Sequence, residues 1–248
     1  MSGQIHALLV GIDEYQGGVP SLHGCRNDIA RIAEVLERRA EAGGQQVRVT
    51  ALLDGEATRD AVIETFRRTF AGALAGDTAL FYYSGHGSQE EAPPEHLAFE
   101  PDGLNETLVL ADSRTEAGFD LADKELAVLV ADVARRDVHV LVVLDCCHSG
   151  SGVRDVTETT VRRAATSHKR RAASSYLEGA VPETAGADAA AWHLGRGRYV
   201  LLAACRSDQT AKEIQADGSA RGAMSVALES ALTTVTGPMT RRRHRVAP

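Results

Sequence analysis

Leu141-Val142-Val143-Leu144-Asp145-Cys146-Cys147-His148-Ser149-Gly150 is the stretch on which the fold turns. The run from Val138 to Leu144 is short, apolar and rich in β-branched residues, the pattern of a strand buried on both faces. An acid, two thiols, an imidazole and a hydroxyl follow at its carboxyl end. Open α/β sheets bind their ligands outside the carboxyl ends of strands. Asp77-Thr78-Ala79-Leu80-Phe81-Tyr82-Tyr83-Ser84-Gly85-His86-Gly87 has the same form, an apolar strand running into a small-residue turn with a His. Two strands ending in Cys and His point to a thiolate nucleophile and its base.

Working outward, Ile5 to Ile12 reads as a buried strand, and Asn27 to Ala42 as a helix stopped by Gly43-Gly44. Gln46 to Leu53 reads as a strand, and Thr58 caps a helix carrying Ala61, Val62, Phe66 and Phe70. This alternation predicts a parallel sheet with right-handed crossovers. Residues 88–105, polar and holding Pro93, Pro94 and Pro101, predict a surface loop or small hairpin. A strand over 106–111, a helix over 123–134, a strand over 199–204 and a helix over 221–234 complete the pattern. Residues 151–198 carry no sustained period but do carry Arg162-Arg163 and Lys169-Arg170-Arg171. So long a stretch reads either as a solvated linker or as a functional segment.

At 248 residues the chain suits one large α/β domain or two small ones. Its net charge of −7 argues against a dedicated nucleic-acid binder. No apolar run reaches the ~18 residues of a membrane span, and Met1 to Gln4 does not open a signal peptide. Four cysteines make no disulfide framework here, and free thiols fit a reducing cytoplasm. The expected setting is therefore cytoplasmic, without nucleic-acid or membrane partners.

A cysteine attacks as the thiolate, and a neighbouring His takes the proton and returns it to the leaving group. Acyl transfer also needs backbone donors aimed at the developing oxyanion. The Gly85-His86-Gly87 turn and the N–H of the nucleophile itself suit that need. Cys146 and Cys147 point to opposite faces, so only one of them faces His86, while Asp145 and Cys147 share a face. An acid beside the nucleophile reads best as a partner for a substrate Arg or Lys. Asp28, early in the first helix, offers a second carboxylate or merely helix-start electrostatics. Phosphate-binding glycine motifs, zinc spacings and the G-x-S-x-G elbow are missing.

With these residues assembled, the chain resembles the caspase-like cysteine peptidases, in their metacaspase and bacterial orthocaspase branch. Five motifs carry the resemblance in order. They are Ala7-Leu8-Leu9-Val10-Gly11-Ile12 with Tyr15; Leu22-His23-Gly24-Cys25-Arg26-Asn27-Asp28; Tyr82 to Gly87; Asp145 to Gly150; and Leu201 to Ala211. The resemblance implies a caspase-like three-layer α/β sandwich with a mainly parallel sheet flanked by helices. It implies His86 and Cys147 as the catalytic pair, with Gly87 and Cys147 as oxyanion donors. It places Asp28, Asp145, Ser84 and Cys25 in the S1 pocket and implies cleavage after Arg or Lys in a protein or peptide. Residues 1–150 would form the large part and 198–248 the small part, with 151–197 a flexible, cleavable linker. Self-cleavage is then expected among Arg162, Arg163, Lys169, Arg170 and Arg171. No cofactor is needed for the chemistry. Many metacaspases respond to calcium, and Asp102, Asp112, Asp120 and Asp123 are candidate ligands, but Lys124 stands where the family often has an Asp. An activator protein or fused domain is a further expected partner. A catalytically silent scaffold on the same fold is the alternative reading, and another cysteine hydrolase or transferase a third. The high Ala, Arg and Gly content hints at a GC-rich bacterial source.

Overall fold

The structure is a computed structural model, and it describes residues 3–98, 100–147, 160–181, 199–205 and 210–234. The central sheet holds β1 (Ile5–Gly11), β2 (Val47–Leu53), β3 (Thr78–Ser84), β7 (His139–Asp145) and β8 (Tyr199–Ala203). All of its pairings are parallel, and the spatial order is β2-β1-β3-β7-β8. A second sheet joins β4 (Gly87–Glu91), β5 (Leu104–Leu108) and the two-residue β6 (Leu121–Ala122) in antiparallel order. A hairpin of β9 (Glu213–Ala216) and β10 (Ser219–Gly222) completes the strands.

Strand residues alternate between two helical layers, as a period of two demands. Leu8, Val10, Phe81, Tyr83, Val142 and Leu144 face α2 (Arg59–Phe70) and α3 (Asp123–Ala134), which contribute Val62, Phe66, Leu126 and Val130. Ala7, Leu9, Leu80, Tyr82 and Val143 face α1 (Cys25–Gly43) and α4 (Ala223–Thr234) through Ile29, Ile32, Met224 and Leu228. Burial of each large side chain here is worth roughly 1.5–3 kcal/mol. The three layers carry the expected caspase-like sandwich.

The expected hairpin over 88–105 is present as β4 and the start of β5, so the strand expected over 106–111 begins earlier and ends at Leu108. Thr58 caps α2 by accepting from the Ala61 N–H. The β9–β10 hairpin closes on Asp217-Gly218, a two-residue turn with both φ values positive. The region expected as a linker is packed where it is described: residues 163–167 run parallel along the outer edge of β4. Tyr176 and Ala180 bury themselves against Ala122. Residues 148–159 and 182–198 lie outside the described residues.

Candidate active site

β3 and β7 are neighbours in register, with Ser84 opposite Asp145. Two residues beyond each strand end, His86 and Cys147 therefore arrive at the same level. The imidazole of His86 is buried. Its Nε2 lies 2.9 Å from the carbonyl of Pro20, and its Nδ1 is buried without a partner. Tyr15 fixes the turn by accepting the His86 N–H at 2.8 Å, and its ring packs against the imidazole. Burial depresses the His86 pKa to about 4, so the ring is neutral at ordinary pH. With Nε2 turned to a carbonyl, the neutral ring carries its proton there and keeps Nδ1 free to accept one.

The thiol of Cys147 is also buried, and it accepts a hydrogen bond from the Ala211 N–H at 2.7 Å. A hydrogen bond to Cys205, together with burial, raises its pKa. Cys146 packs into the opposite layer beneath the sheet, as the alternation of side chains requires. Cys205, two residues past β8, donates toward the Cys146 carbonyl. Gly87 admits no side chain, because a Cβ there would sit 1.9 Å from the Cys147 carbonyl oxygen.

Beside this pair is a pocket of carboxylates, and Arg162 fills it. The guanidinium lies 2.8 Å from Asp28 Oδ2, 3.2 Å from Asp145 Oδ2 and 3.2 Å from Glu213 Oε1. It also donates to Ser84 Oγ at 2.7 Å. The carbonyl of the same residue accepts from the N–H groups of Gly87 at 3.2 Å and Cys147 at 3.1 Å. Its own N–H donates to the Ala211 carbonyl at 3.0 Å. On one side Glu213 N–H donates to Thr160, and on the other Ala164 N–H donates to Gly87. Residues 160–164 thus cross the cleft with a bend at Arg162, whose side chain and carbonyl are both held.

Both parts of the chain build the pocket. Asp28, in the first turn of α1, is held by Arg221 Nε at 2.7 Å and by the Gly222 N–H. Asp145 accepts from the Ser225 N–H in the first turn of α4. Burial raises the Asp145 pKa, against the opposing pull of Arg162. Cys25 is buried, and burial raises its pKa too. Glu213, Arg221 and Ser225 were not singled out in the sequence. Glu213 lies two residues past the last motif, and nothing in its own context marks it.

Of the five candidate cleavage residues, Arg162 alone occupies the pocket. Arg171 is buried elsewhere, between Glu125 and Glu90. Lys169 donates to the carbonyls of Thr115 and Gly118, Arg170 pairs with Glu91 at the surface, and Arg163 follows Arg162 along the cleft.

The four candidate calcium ligands do not converge. Asp102 accepts from the Leu104 N–H, Asp112 from the Arg59 N–H, and Asp120 pairs with Arg114. Asp123, its pKa raised by burial to about 7, pairs with the buried ammonium of Lys124, which Glu100 also holds. A cation of the chain itself therefore stands among these acids, and they do not fit a calcium ion. Among the described residues, Asp13, Cys25 and Glu213 are close enough together to share an ion. Asp13 and Glu213 are already occupied by N–H donors from residues 23–26. No helix among the described residues is long and apolar enough to cross a membrane.

A parallel sheet that ends in a level thiol and imidazole, beside a pocket of acids, is the architecture of a caspase-like peptidase domain. The chain belongs to the metacaspase family: the profile described as "Metacaspase, peptidase C14 domain" matches residues 6–156. Metacaspase-1 of Mycosarcoma maydis is 28% identical over 94% of this chain and 63% of its own length. Metacaspase-3 of Trypanosoma cruzi is 26% identical over 86% and 56%. Metacaspase-1 of Plasmodium falciparum is 33% identical over 60% and 24%. The chain thus spans less than two thirds of the length of these relatives. A crystal structure of a Geobacter sulfurreducens protein matches 94% of this chain and 84% of its own, with a TM-score of 0.62 at 25% identity.

Proposed function

We propose that this chain is a cysteine endopeptidase that cleaves after Arg, and less readily after Lys, and that its first substrate is its own Arg162–Arg163 bond. One observation carries the proposal: the Arg162 guanidinium lies on three carboxylates while its carbonyl lies on two backbone donors beside Cys147. A pocket that merely tethered an arginine would need only the first contact. Two N–H groups on the carbonyl are the arrangement that stabilises a tetrahedral oxyanion.

In the reaction, Cys147 Sγ loses its proton to His86 Nδ1 and attacks the Arg162 carbonyl carbon. The oxyanion is held by Gly87 and Cys147 N–H. His86 then gives the proton to the Arg163 nitrogen, the amide breaks, and a thioester remains on Cys147. Water, deprotonated by His86, releases the Arg162 carboxylate and restores the thiol. In the intact form the Cys205 hydrogen bond and burial favour the neutral thiol, and burial favours the neutral imidazole.

Fluorogenic peptides carrying Arg, Lys or Asp at P1 test the specificity, beside a Cys147→Ala control. Sequencing the new amino terminus tests the bond. Arg turnover with a terminus at Arg163 is the expected result. Asp turnover would overturn the pocket assignment. A planar guanidinium uses all three carboxylates, so Lys should be slower by about tenfold. A silent scaffold on the same fold would keep its plug, leaving Arg162→Ala without activity. We further propose that calcium is not required, because Lys124 supplies the charge, so chelation should leave turnover unchanged. A cytoplasmic setting and a place in the bacterial orthocaspase branch belong to the same reading, supported by the free thiols and the composition.

A further inference from the structure

The segment that follows Arg162 is held far more firmly than a severed linker needs to be. Arg171, nine residues on, has a fully buried side chain. Its guanidinium pairs with Glu125 at 2.7 Å and Glu90 at 3.4 Å, and donates to the Asp120 carbonyl at 3.2 Å. It also lies 3.4 Å from the centroid of the Tyr176 ring. Tyr176 in turn donates to Glu90 at 2.8 Å, and Leu177 N–H donates to Glu125. Between the two arginines, Ala164 and Ser167 donate to Gly87 and Gln89, and Glu91 N–H donates back to Ser167. Ser88 Oγ donates to the Ala165 carbonyl at 2.8 Å. None of these contacts passes through the Arg162–Arg163 bond.

We infer that Arg171 is an anchor that keeps residues 163–171 docked along β4 after that bond is cut, so that the prime side of the cleft stays occupied by the enzyme's own chain. The inference rests on the proposed self-cleavage after Arg162. Cutting the bond lets Arg162 leave the pocket, because Arg162 lies on the amino-terminal side of the cut. It leaves Arg163 to Ser167 where they are, as a fourth strand on the β4 edge. The processed enzyme then accepts substrates with little beyond the scissile bond. Longer polypeptides must displace the docked strand, and Arg171 sets how hard that is. Arg171 acts on the reaction only through the strand it positions.

Two measurements test this. The first is hydrogen exchange on full-length Cys147→Ala, alone and with Arg171→Met. The expected result is at least tenfold faster exchange at Ala164 and Ser167 in the double variant, with β3 and β7 unchanged. Equal protection overturns the anchor. If Arg171→Met melts too early, Glu90→Gln with Arg171→Met removes one carboxylate stranded by the change, and Arg171→Lys keeps the charge while losing the fork and the stack. The second measurement compares a short Arg-aminocoumarin peptide with an internally quenched peptide carrying four residues after its Arg. In self-processed enzyme the short substrate should be favoured, and Arg171→Met should shift the kcat/KM ratio toward the long one by tenfold or more. An unshifted ratio overturns the proposal. Turnover of neither peptide would sink the peptidase reading instead, and the exchange experiment would still decide the anchor.

Discussion

Arg162 and Arg171 sit nine residues apart in one segment, both wholly buried, both among carboxylates. They differ in what surrounds the backbone. The Arg162 carbonyl meets two N–H donors at the ends of β3 and β7, beside a thiol. The Arg171 guanidinium stacks on Tyr176, and no such donor pair meets its carbonyl among the hydrogen bonds of the described residues. A buried arginine is therefore no mark of a cleavage site by itself. On the proposed self-cleavage, the side chain selects the residue and the carbonyl's donors select the bond. Charge accounts for both sites, and only the oxyanion geometry separates them.

The sharpest way to break this distinction is to remove one arginine at a time. Arg162→Gln should abolish the cut at 162–163 entirely, and intact-mass analysis should show no replacement cut at Arg171. A cut appearing at Arg171 would mean that burial among acids suffices. Next come the acids themselves. Asp28→Asn and Asp145→Asn should each lower kcat/KM for Arg peptides roughly 150- to 5,000-fold, since each leaves a buried guanidinium short of a charge, at about 3–5 kcal/mol. Glu125→Gln, at the other arginine, should change it less than about threefold.

Much of this was legible in the chain itself. Val138 to Leu144 and Ala79 to Tyr83 announce strands through their composition, and their equal offsets place Cys147 and His86 together. The acids Asp28 and Asp145 lie next to those motifs. Glu213, Ser225 and Arg221 were not legible, because each enters through tertiary contacts from the β9–β10 hairpin and α4, about 190 residues from Asp28 in the case of Arg221. Residues 160–181 hid for the same reason. A strand that pairs on the β4 edge and crosses a cleft has one side chain per pocket, so it shows neither a period of two nor one of 3.6. The basic residues were visible, but their sorting into pocket, anchor and surface depends on geometry alone.

Stability does not separate the two arginines. In a Cys147→Ala background, Arg171→Met should cost about 3–5 kcal/mol in denaturant unfolding, because Glu90 is left without a cation in a closed interior, while Arg59 still pairs with Glu125. Arg162→Met should cost a similar amount, because Asp145 and Glu213 lose their guanidinium in a closed pocket, while Arg221 still neutralises Asp28. A much smaller cost at either site would mean that its acids are compensated by protons or water once the arginine is gone.

The smallest effect concerns pH and is read at His86. His86 titrates near 4 in the closed form and near 6.5 when exposed. Between these values the unfolded chain binds the proton that the folded chain refuses. The neutral His86 therefore contributes stability that is complete above about pH 6.5 and is lost as pH falls toward 4. The loss is at most about 1.4 kcal/mol for each pH unit in that window. Asp145 and Glu90, whose pKa values burial raises, pull the other way, so the total slope mixes signs. The difference between Cys147→Ala and Cys147→Ala/His86→Gln isolates the imidazole. Melts from pH 7 to pH 5 should show the His-containing protein losing more stability than its Gln counterpart. Parallel slopes would place the imidazole in water rather than under the docked strand, and with it the claim that Arg162 closes the site.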